Sequence, residues 1–441
     1  MDLAFDFSKK VRWFDFMGFV KLNHYFSLII ENSELRKLWL GLTISYIGDT
    51  FYEIAIAWYI YSVTGSSLMV GLLLVAIFLP NVLFGLFLGV LVDRYARKKL
   101  MVISLAIQTI ATAVLVIAFV FDLFPLTALY IVTILLAIAS AIFVPAQYST
   151  IPEIVQKEDI ISANSFFSSS QRIAQILGVV LGGSVIALLG VSFAIGINSF
   201  TFLIALLFIM ALKNSFSTKQ YKPDGKEDSN TMLSDVKEGF SWLKNNKVLL
   251  NILMIATVSN IALGPINILP PMLIKSVFEL GPTSLGLFEA ALGLGVLLGG
   301  MSIGILKPNK VGLLFGLGLG SQGLGMLTVS IASGLTGALI GNFIFGLGLA
   351  GTILPVSTAF QTLVPSYLRG RISSINNLLT GIVIPLTYAF IGLLGDLVGP
   401  QYCYLYGGLL LGGCMSYALL FSKVRNYSIV NDSEGKDSFS I

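Results

Sequence analysis

Ionisable side chains are rare in the apolar segments of this sequence, and four of them are candidates for chemistry. Asp49 and Glu53 lie in SYIGDTFYEIAIAWYI, Glu289 lies in LGLFEAALGLG, and Arg172 lies in SSSQRIAQILG. At the centre of a bilayer, a charged residue costs about 2.5–3.5 kcal/mol on insertion scales. We therefore interpret these four residues as sites of binding or proton exchange, or as members of buried ion pairs.

Asp49 and Glu53 are four residues apart, and Ser45 precedes them by the same interval, which places all three along one stripe of a helix. Two carboxylates one turn apart in a low dielectric repel each other, so one of them is expected to hold an exchangeable proton near neutral pH. The pattern predicts Asp49 as the main proton or substrate site and Glu53 as its partner. The alternative is a buried acid paired with a polar neighbour. Glu289 and Arg172 suit either an ion pair between two helices or contact with substrate.

Asn260 and Asn267 are two turns apart and flank the helix breakers Gly264 and Pro265. A break of this kind lets a membrane helix bend and line a cavity; the alternative is that each amide bonds to a neighbouring helix. Aromatic and polar residues nearby predict an apolar, aromatic-lined pocket for an amphiphilic cation. The predicted lining is Tyr46, Phe51, Tyr52, Trp58, Tyr59, Met254, Asn260 and Phe360.

The composition indicates that these residues lie in a membrane protein. The chain has 441 residues, of which 56% are hydrophobic and 11% charged, with a mean hydropathy of +0.88; soluble domains are about 25% charged. A net charge of +4 gives no reason to expect a nucleic-acid partner. The only histidine, His24, lies outside the apolar segments, and Cys403 and Cys414 lie about 16 Å apart along one predicted helix. We expect no metal, cofactor or disulfide.

Apolar runs of about 20 residues predict an all-α membrane protein with twelve transmembrane helices. The predicted spans lie near 37–62, 67–92, 100–121, 125–147, 163–189, 192–212, 248–274, 283–306, 311–332, 335–358, 373–395 and 400–421. With the N-terminus inside the cell, the loops on the other side contain Lys275 as their only basic residue, whereas lysine and arginine are abundant in the cytoplasmic loops. This bias predicts that both termini are cytoplasmic.

A polar stretch divides the predicted spans into two groups of six. The predicted domains are a cytoplasmic N-terminal segment at 1–34, a first six-helix bundle at 35–212, a cytoplasmic linker with a short amphipathic helix at 213–247, a second bundle at 248–422 and a cytoplasmic tail at 423–441. The N-terminal segment suits either an interfacial helix or a partly ordered tail. FVPAQYSTIPEIV and ILPVSTAFQTLV align at Pro145 and Pro355, which indicates an internal repeat.

The segment GVLVDRYARKK at 89–99 carries a glycine, an acid and a basic cluster between the second and third spans. The participating residues are Gly89, Asp93, Arg94, Arg97 and Lys98. They resemble the loop between helices 2 and 3 of the major facilitator superfamily, with Ala96 in place of a second glycine. The resemblance implies two pseudo-symmetric six-helix bundles. It also implies that Asp93 faces the start of span 11 and closes the cytoplasmic side of an outward-facing state.

Small residues recur at four-residue spacing in ILGVVLGGSVIALLG, where Gly178, Gly182 and Gly183 predict close helix packing. The run resembles the span-5 motif of drug–proton antiporters, with Val179 in the usual proline position. Residues 35–425 as a whole resemble the macrolide-efflux and siderophore-exporter branch of the superfamily.

What this resemblance implies is a cell-membrane transporter, rather than an enzyme, that exports an amphiphilic small molecule as a monomer, by proton antiport with alternating access. A siderophore exporter and a lipid or lysophospholipid flipping carrier of the same fold are the alternatives. A non-transport membrane protein is disfavoured because no catalytic constellation is present.

Overall fold

The computed structural model describes residues 28–121, 126–213, 240–306, 308–365, 368–420 and 422–428. For residues 85–90, 93–94, 370, 374, 377–379 and 422 it gives the helical backbone only. Within these ranges the secondary structure is helical, with no β-strand. The N-terminal residues 1–27, the linker residues 214–239 and the tail residues 429–441 lie outside the described part, as does the first half of the amphipathic helix predicted for the linker.

Twelve long helices follow one another along the described chain. The first six are α1 (Ser33–Thr64), α2 (Ser67–Arg94), α3 (Arg97–Val120), α4 (Leu126–Ile154), α5 (Ile160–Leu189) and α6 (Val191–Met210). The next six are α7 (Lys247–Ala262), α8 (Pro282–Leu306), α9 (Val311–Ser330), α10 (Leu335–Leu363), α11 (Arg369–Val398) and α12 (Pro400–Leu420). Short helical segments occur at 28–31, 240–245, Lys157–Asp159 and Ser422–Arg425, and α7 is continued by Gly264–Ile268, Pro270–Met272 and a π-helical turn at Leu273–Val277.

Ten of the described helices are long and apolar enough to cross a membrane. The other two are α1 and α7. Helix α1 is long but less apolar, because it carries Asp49 and Glu53 in its middle and further charges at its start. Helix α7 is apolar but has only 16 residues before its first interruption. The structure is thus that of an all-α membrane protein, and the count of twelve spans stays a prediction.

The long helices pack as two sets with the same internal pattern. In the first set, α1 packs against α5 and α6, α3 packs against α4 and α6, and α2 packs against α4. In the second set, α7 packs against α11 and α12, α9 packs against α10 and α12, and α8 packs against α10. Adding six to each helix number converts the first pattern into the second. The two sets meet where α2 packs against α11 and where α5 packs against α8.

One end of the molecule, here called the basic end, is tied together by lysine side chains. Lys37 Nζ lies 2.8 Å from a Glu34 carboxylate oxygen and donates to the Ala211 carbonyl at 3.0 Å. The other Glu34 oxygen accepts from the Lys213 backbone N–H at 2.7 Å. Burial raises the pKa of the Glu34 carboxyl. The hydrogen bonds from Lys37 and Lys213 together lower it by more, so the pKa lies below the ordinary value. This network holds the end of α6 against the start of α1.

The opposite end, here called the sealed end, is where the two sets contact each other through hydrogen bonds. Tyr61 Oη lies 2.7 Å from Ser276 Oγ, and Lys275 Nζ donates to the Ser62 carbonyl at 3.3 Å. The Lys275 ammonium also lies 5.8 Å from the centre of the Trp58 ring. These contacts join the last turns of α1 to the segment that follows α7.

Candidate functional site

A cavity of about 310 Å³ lies between the two helix sets. Its lining comes from α1, α2 and α5 on one side, and from α8, α11 and the segment after α7 on the other. The lining residues are Thr50, Glu53, Ile54, Ala57, Leu73, Leu74, Ile77, Phe78, Val179, Asn267, Pro270, Pro271, Leu285, Glu289 and Tyr388. Most of these side chains are apolar, so the few polar groups among them decide what the cavity binds.

The two acids in the cavity come from opposite sets. Glu53 projects from α1, and its side chain is exposed to the cavity although it lies deep within the helices. Glu289 projects from α8 and is half-buried. The two carboxylates are close enough to interact electrostatically, and like charges in a medium of low dielectric repel strongly. Neutralising either acid therefore removes a force that pushes the two sets apart.

Asp49 lies outside the cavity lining, one helical turn or about 6 Å from Glu53 toward the basic end. Its carboxylate interacts electrostatically with Glu53, and within the described part of the chain it has neither a hydrogen bond nor an ion pair. The nearby Tyr46 hydroxyl is occupied with the Gln147 side chain, at 3.2 Å from Oε1 and 3.1 Å from Nε2. Among the described residues, Asp49 is an acid without a compensating partner, as an exchangeable proton site requires.

Arg172 does not pair with Glu289. Its exposed guanidinium donates to Gln175 Oε1 at 3.2 Å, and no described carboxylate lies within ion-pair distance. Arg172 precedes the cavity-lining Val179 by seven residues on α5, so it lies on the same helix face about 10 Å nearer the basic end. The structure does not form the ion pair that was one of the two alternatives. Arg172 stands at the approach to the cavity, and its contact with substrate stays a prediction.

The predicted break in the seventh span is present, and it places one of the two asparagines in the site. Helix α7 ends at Ala262, and Asn267 follows in the next segment, where it lines the cavity and donates through Nδ2 to the Leu263 carbonyl at 3.1 Å. Asn260 precedes the break and is half-buried outside the lining. A Cβ on Gly264 would lie 2.7 Å from Ile391 Cγ1, so the break also brings the backbone close to α11.

The predicted aromatic lining is wrong for this cavity, because the α1 aromatic rings point into helix contacts instead. Tyr52 Oη lies 3.0 Å from Thr133 Oγ1 of α4, and the Tyr59 ring packs edge-on against Phe119. Phe51 and Trp58 are buried, and Met254 is exposed on the outer surface of the second set. The aromatic rings that do line the cavity are Phe78 and Tyr388, whose centroids are 5.6 Å apart. Phe360 is partly buried in the core and is absent from the lining.

Three residues near Glu289 were not singled out from the sequence. Tyr388 lines the cavity from α11. Tyr404 of α12 is fully buried, its hydroxyl has no hydrogen-bond partner among the described residues, and it interacts electrostatically with Glu289. Asn342 of α10 donates through Nδ2 to the Phe288 carbonyl at 2.6 Å and so fixes the backbone next to Glu289. The sequence signal that could have identified these three residues was a tyrosine or asparagine inside an apolar run. Many such residues have no role beyond helix packing.

Two basic residues of the 89–99 segment, Arg97 and Lys98, bind to other parts of the first set. Arg97 donates to the Ser149 carbonyl at 2.6 Å and forms an ion pair with Glu153 of α4. Lys98 donates to the Leu212 carbonyl at 2.5 Å, which caps the end of α6. The side chains of Asp93 and Arg94 lie outside the described part, as do details of Gly89, so the predicted contact of Asp93 with span 11 stays a prediction.

The three glycines of α5 divide between two neighbours. A Cβ on Gly178 would lie 2.8 Å from Thr50 Cβ, and one on Gly182 would lie 3.3 Å from the Phe51 ring, so both pack against α1. A Cβ on Gly183 would lie 2.5 Å from the Pro282 carbonyl oxygen at the start of α8. Gly183 is therefore part of the contact between the two sets.

Among the described residues, no group of three or more histidine, cysteine or acidic side chains is placed to hold a metal ion.

Comparisons with known proteins identify the family and the fold of this chain. The sequence profile of a family described as transmembrane secretion effector matches residues 29–431. Macrolide efflux protein A of Streptococcus pyogenes is 26% identical over 385 residues, covering 85% of this chain and 92% of that protein. The enterobactin exporter EntS of Shigella boydii is 25% identical over 364 residues, covering 79% and 82%. A variant of the nucleoside transporter NupG has a similar structure, with a TM-score of 0.72 at 12% identity, covering 88% and 99%.

Proposed function

Because the chain belongs to the transmembrane secretion effector family of major facilitator transporters, we propose that it exports amphiphilic, cationic small molecules by proton antiport with alternating access. The observation that carries this proposal is the pair Glu53 and Glu289, which face one cavity from opposite helix sets. A cation or protons in the cavity neutralise the repulsion between these acids. The occupancy of the site is thereby coupled to how closely the two sets approach.

The exchange of proton for substrate follows from the charges alone. A cationic substrate is held by ionised Glu53 and Glu289, and it is displaced when these carboxyls take up protons. Asp49 lies one turn nearer the basic end, where it passes protons between Glu53 and the solvent on that side. Proton entry and substrate release then use the same acids, which makes the two events mutually exclusive.

The lining explains a preference for amphiphilic molecules. Apolar side chains from five helical elements provide contact area, while Asn267 and the two acids provide the few directional groups. The rings of Phe78 and Tyr388 offer faces to which a cation is attracted. A sugar would require many more paired hydrogen-bonding groups than this cavity contains.

In the proposed orientation, the basic end faces the cytoplasm and the sealed end faces outward, as the lysine and arginine bias requires. Two bundles, at 35–212 and 248–422, pivot about the cavity in a monomer with twelve spans in the cell membrane. Among the residues whose side chains the structure describes, the contacts between the sets reach from the sealed end to mid-helix, where Gly381 faces Val82 and Gly293 faces Ile176. Arg172 lies nearer the basic end than these contacts and is exposed, which fits a state that opens toward the cytoplasm.

The test uses purified protein in liposomes with tetraphenylphosphonium as the cationic probe. We expect probe transport to require an imposed pH gradient, and probe binding to weaken as pH falls because the acids become protonated. Glu53→Gln and Glu289→Gln are expected to abolish gradient-driven transport. Glu158→Gln, a change at an exposed acid on the basic end, serves as the matched control and is expected to retain it.

The same liposomes separate the alternatives. Preferred transport of lysophosphatidylcholine would indicate a lipid carrier, and preferred transport of an anionic catecholate would indicate a siderophore exporter. Binding of the cation that is unchanged across the pH titration, or full transport by both glutamine variants, would overturn the proposed proton antiport.

A further inference from the structure

The C-terminal end of α11 carries an acid that caps the N-terminus of α2 across the boundary between the two helix sets. Asp396 accepts hydrogen bonds from the Ser66 hydroxyl at 2.5 Å, the Ser67 backbone N–H at 2.5 Å and the Leu68 backbone N–H at 3.1 Å. The Ser66 hydroxyl oxygen in turn accepts from the Met69 backbone N–H at 3.4 Å. The first three N–H groups of α2 are therefore all satisfied at this contact.

These N–H groups have no partner within their own helix, since the first turn of any α-helix lacks intrahelical acceptors. In most helices a neighbouring residue of the same chain segment supplies the cap. Here the carboxylate belongs to the other helix set. Separation of α2 from α11 at the sealed end would leave the Ser67 and Leu68 N–H groups without this acceptor.

The position of Asp396 in its own helix also requires an explanation. It lies in the last turn of α11, which ends at Val398. A negative charge is disfavoured at the C-terminus of a helix, because the helix dipole is negative there. The positive end of α2 offsets that unfavourable interaction, and it does so only while the two helices are in contact.

Glycines bring the two backbones close enough for this cap. A Cβ on Gly392 would lie 2.7 Å from the Ser67 carbonyl oxygen and 2.9 Å from Leu68 Cα. A Cβ on Gly71, one turn further along α2, would overlap with the Tyr388 carbonyl. The cap and the glycine contact form one seam at the sealed end.

From this seam we infer that Asp396 is a positioning residue for transport, which holds the sealed end closed by capping α2. The inference rests on the alternating access proposed above. A corresponding acid, Asp93, lies in the last turn of α2. Because α2 and α11 run antiparallel, Asp93 and Asp396 lie at opposite ends of the helix pair. The α2–α11 pair thus carries one acid near the C-terminus of each helix, and Asp396 acts when the sealed end is closed.

The experiment measures distances between spin labels at both ends, in a variant without Cys403 and Cys414. One label pair spans the sealed end, at Val63 and Tyr402, and the other spans the basic end, at Lys157 and Lys423; all four are exposed. We expect Asp396→Ala to raise the ratio of open to closed sealed ends by about two- to thirty-fold, the effect of losing a helix cap. The distance between the two basic-end labels is expected to shift toward the shorter value of a closed basic end.

Glu279→Gln is the matched control, because Glu279 is an exposed acid near the same end without a described partner; it is expected to leave both distributions unchanged. Ser66→Ala, which removes one donor and keeps the charge, is expected to give a smaller shift in the same direction. If Asp396→Ala destabilises the protein without moving the distances, its role is structural only and the inference is wrong.

The two proposals fail in different ways. If the wild-type sealed end opens on a pH change or with tetraphenylphosphonium, and Asp396→Ala and Ser66→Ala leave the ratio of open to closed sealed ends unchanged, the gating role is refuted while the proposed transport stands. If neither label pair changes in any variant or condition, alternating access fails, and the inference about Asp396 fails with it.

Discussion

Helices α1 and α7 are the first of their sets and occupy equivalent places in the packing. They differ in both charge and continuity. Helix α1 runs without interruption from Ser33 to Thr64 and carries Asp49 and Glu53. Helix α7 ends at Ala262, and residues 247–277 contain no acid. One helix therefore holds charge on a rigid support, while the other is bent toward the cavity.

The difference has a local chemical cause. Pro265, Pro270 and Pro271 each lack a backbone N–H, so a regular α-helix cannot continue through the segment after Ala262. The break aims Asn267 into the cavity. In the second set the acid comes instead from α8, as Glu289. The first set therefore has its acids on α1, whereas the second set has its break after α7 and its acid on α8.

The strongest loss of transport is expected from a substitution in α1. Asp49→Asn removes an acid without a described partner and keeps its size, so we expect pH-gradient-driven transport to fall to the level of empty liposomes. Expression and thermal stability should remain near wild type. The measurement is probe uptake with and without a gradient, and undiminished gradient-driven uptake would show that Asp49 has no role in coupling.

The next effect tests the bend of α7. In Gly264→Ala the added Cβ would lie 2.7 Å from Ile391 Cγ1 and 2.9 Å from Thr387 Cγ2. We expect a loss of about 1–3 kcal/mol in the free energy of unfolding, as for other overpacked sites. Thermal unfolding in detergent measures it. The control is Gly281→Ala, whose Cβ would meet nothing within 4 Å; an equal loss in both variants would contradict the packing argument.

A smaller effect is expected at the two asparagines that flank the break. Asn267 lines the cavity and Asn260 does not, so Asn267→Ala should raise the KM for a cationic substrate while Asn260→Ala should not. One hydrogen bond is worth about 0.5–1.5 kcal/mol, which corresponds to about a two- to ten-fold change. Concentration-dependent transport at fixed pH gradient measures this. Equal KM values for the two variants would remove Asn267 from the site.

The smallest effect concerns the start of α1 at the basic end. The pKa of Glu34 is lowered in the folded protein, so its contribution to stability is present above the unfolded-state pKa, near about 4.3. That contribution is lost as pH falls through the folded-state value. We expect this contribution to the free energy of unfolding to be about 0.2–1 kcal/mol. Glu34→Gln should melt with less pH dependence than wild type below about pH 5. Glu31→Gln, a change at an exposed acid near the same end, is the control and should melt like wild type.

Much of the fold followed from local features of the sequence. Apolar length predicted the helices, and the fifth span, predicted at 163–189, agrees with α5 at Ile160–Leu189. The Gly264–Pro265 pair predicted the break in α7 because proline chemistry acts within one turn. The acids could be found because a charge in an apolar run is conspicuous whatever its neighbours are.

The neighbours themselves were decided by the tertiary structure. Helix periodicity gives the face on which a residue lies but not the helix that this face meets. Glu289 therefore faces the same cavity as Glu53 instead of pairing with Arg172. The rings predicted to surround the acids pack against α4 and other helices. Asp396 reads in the sequence as an unremarkable acid near a predicted helix end. Only the approach of α2 and α11, made possible by glycines on both helices, turns it into a cap for the other set.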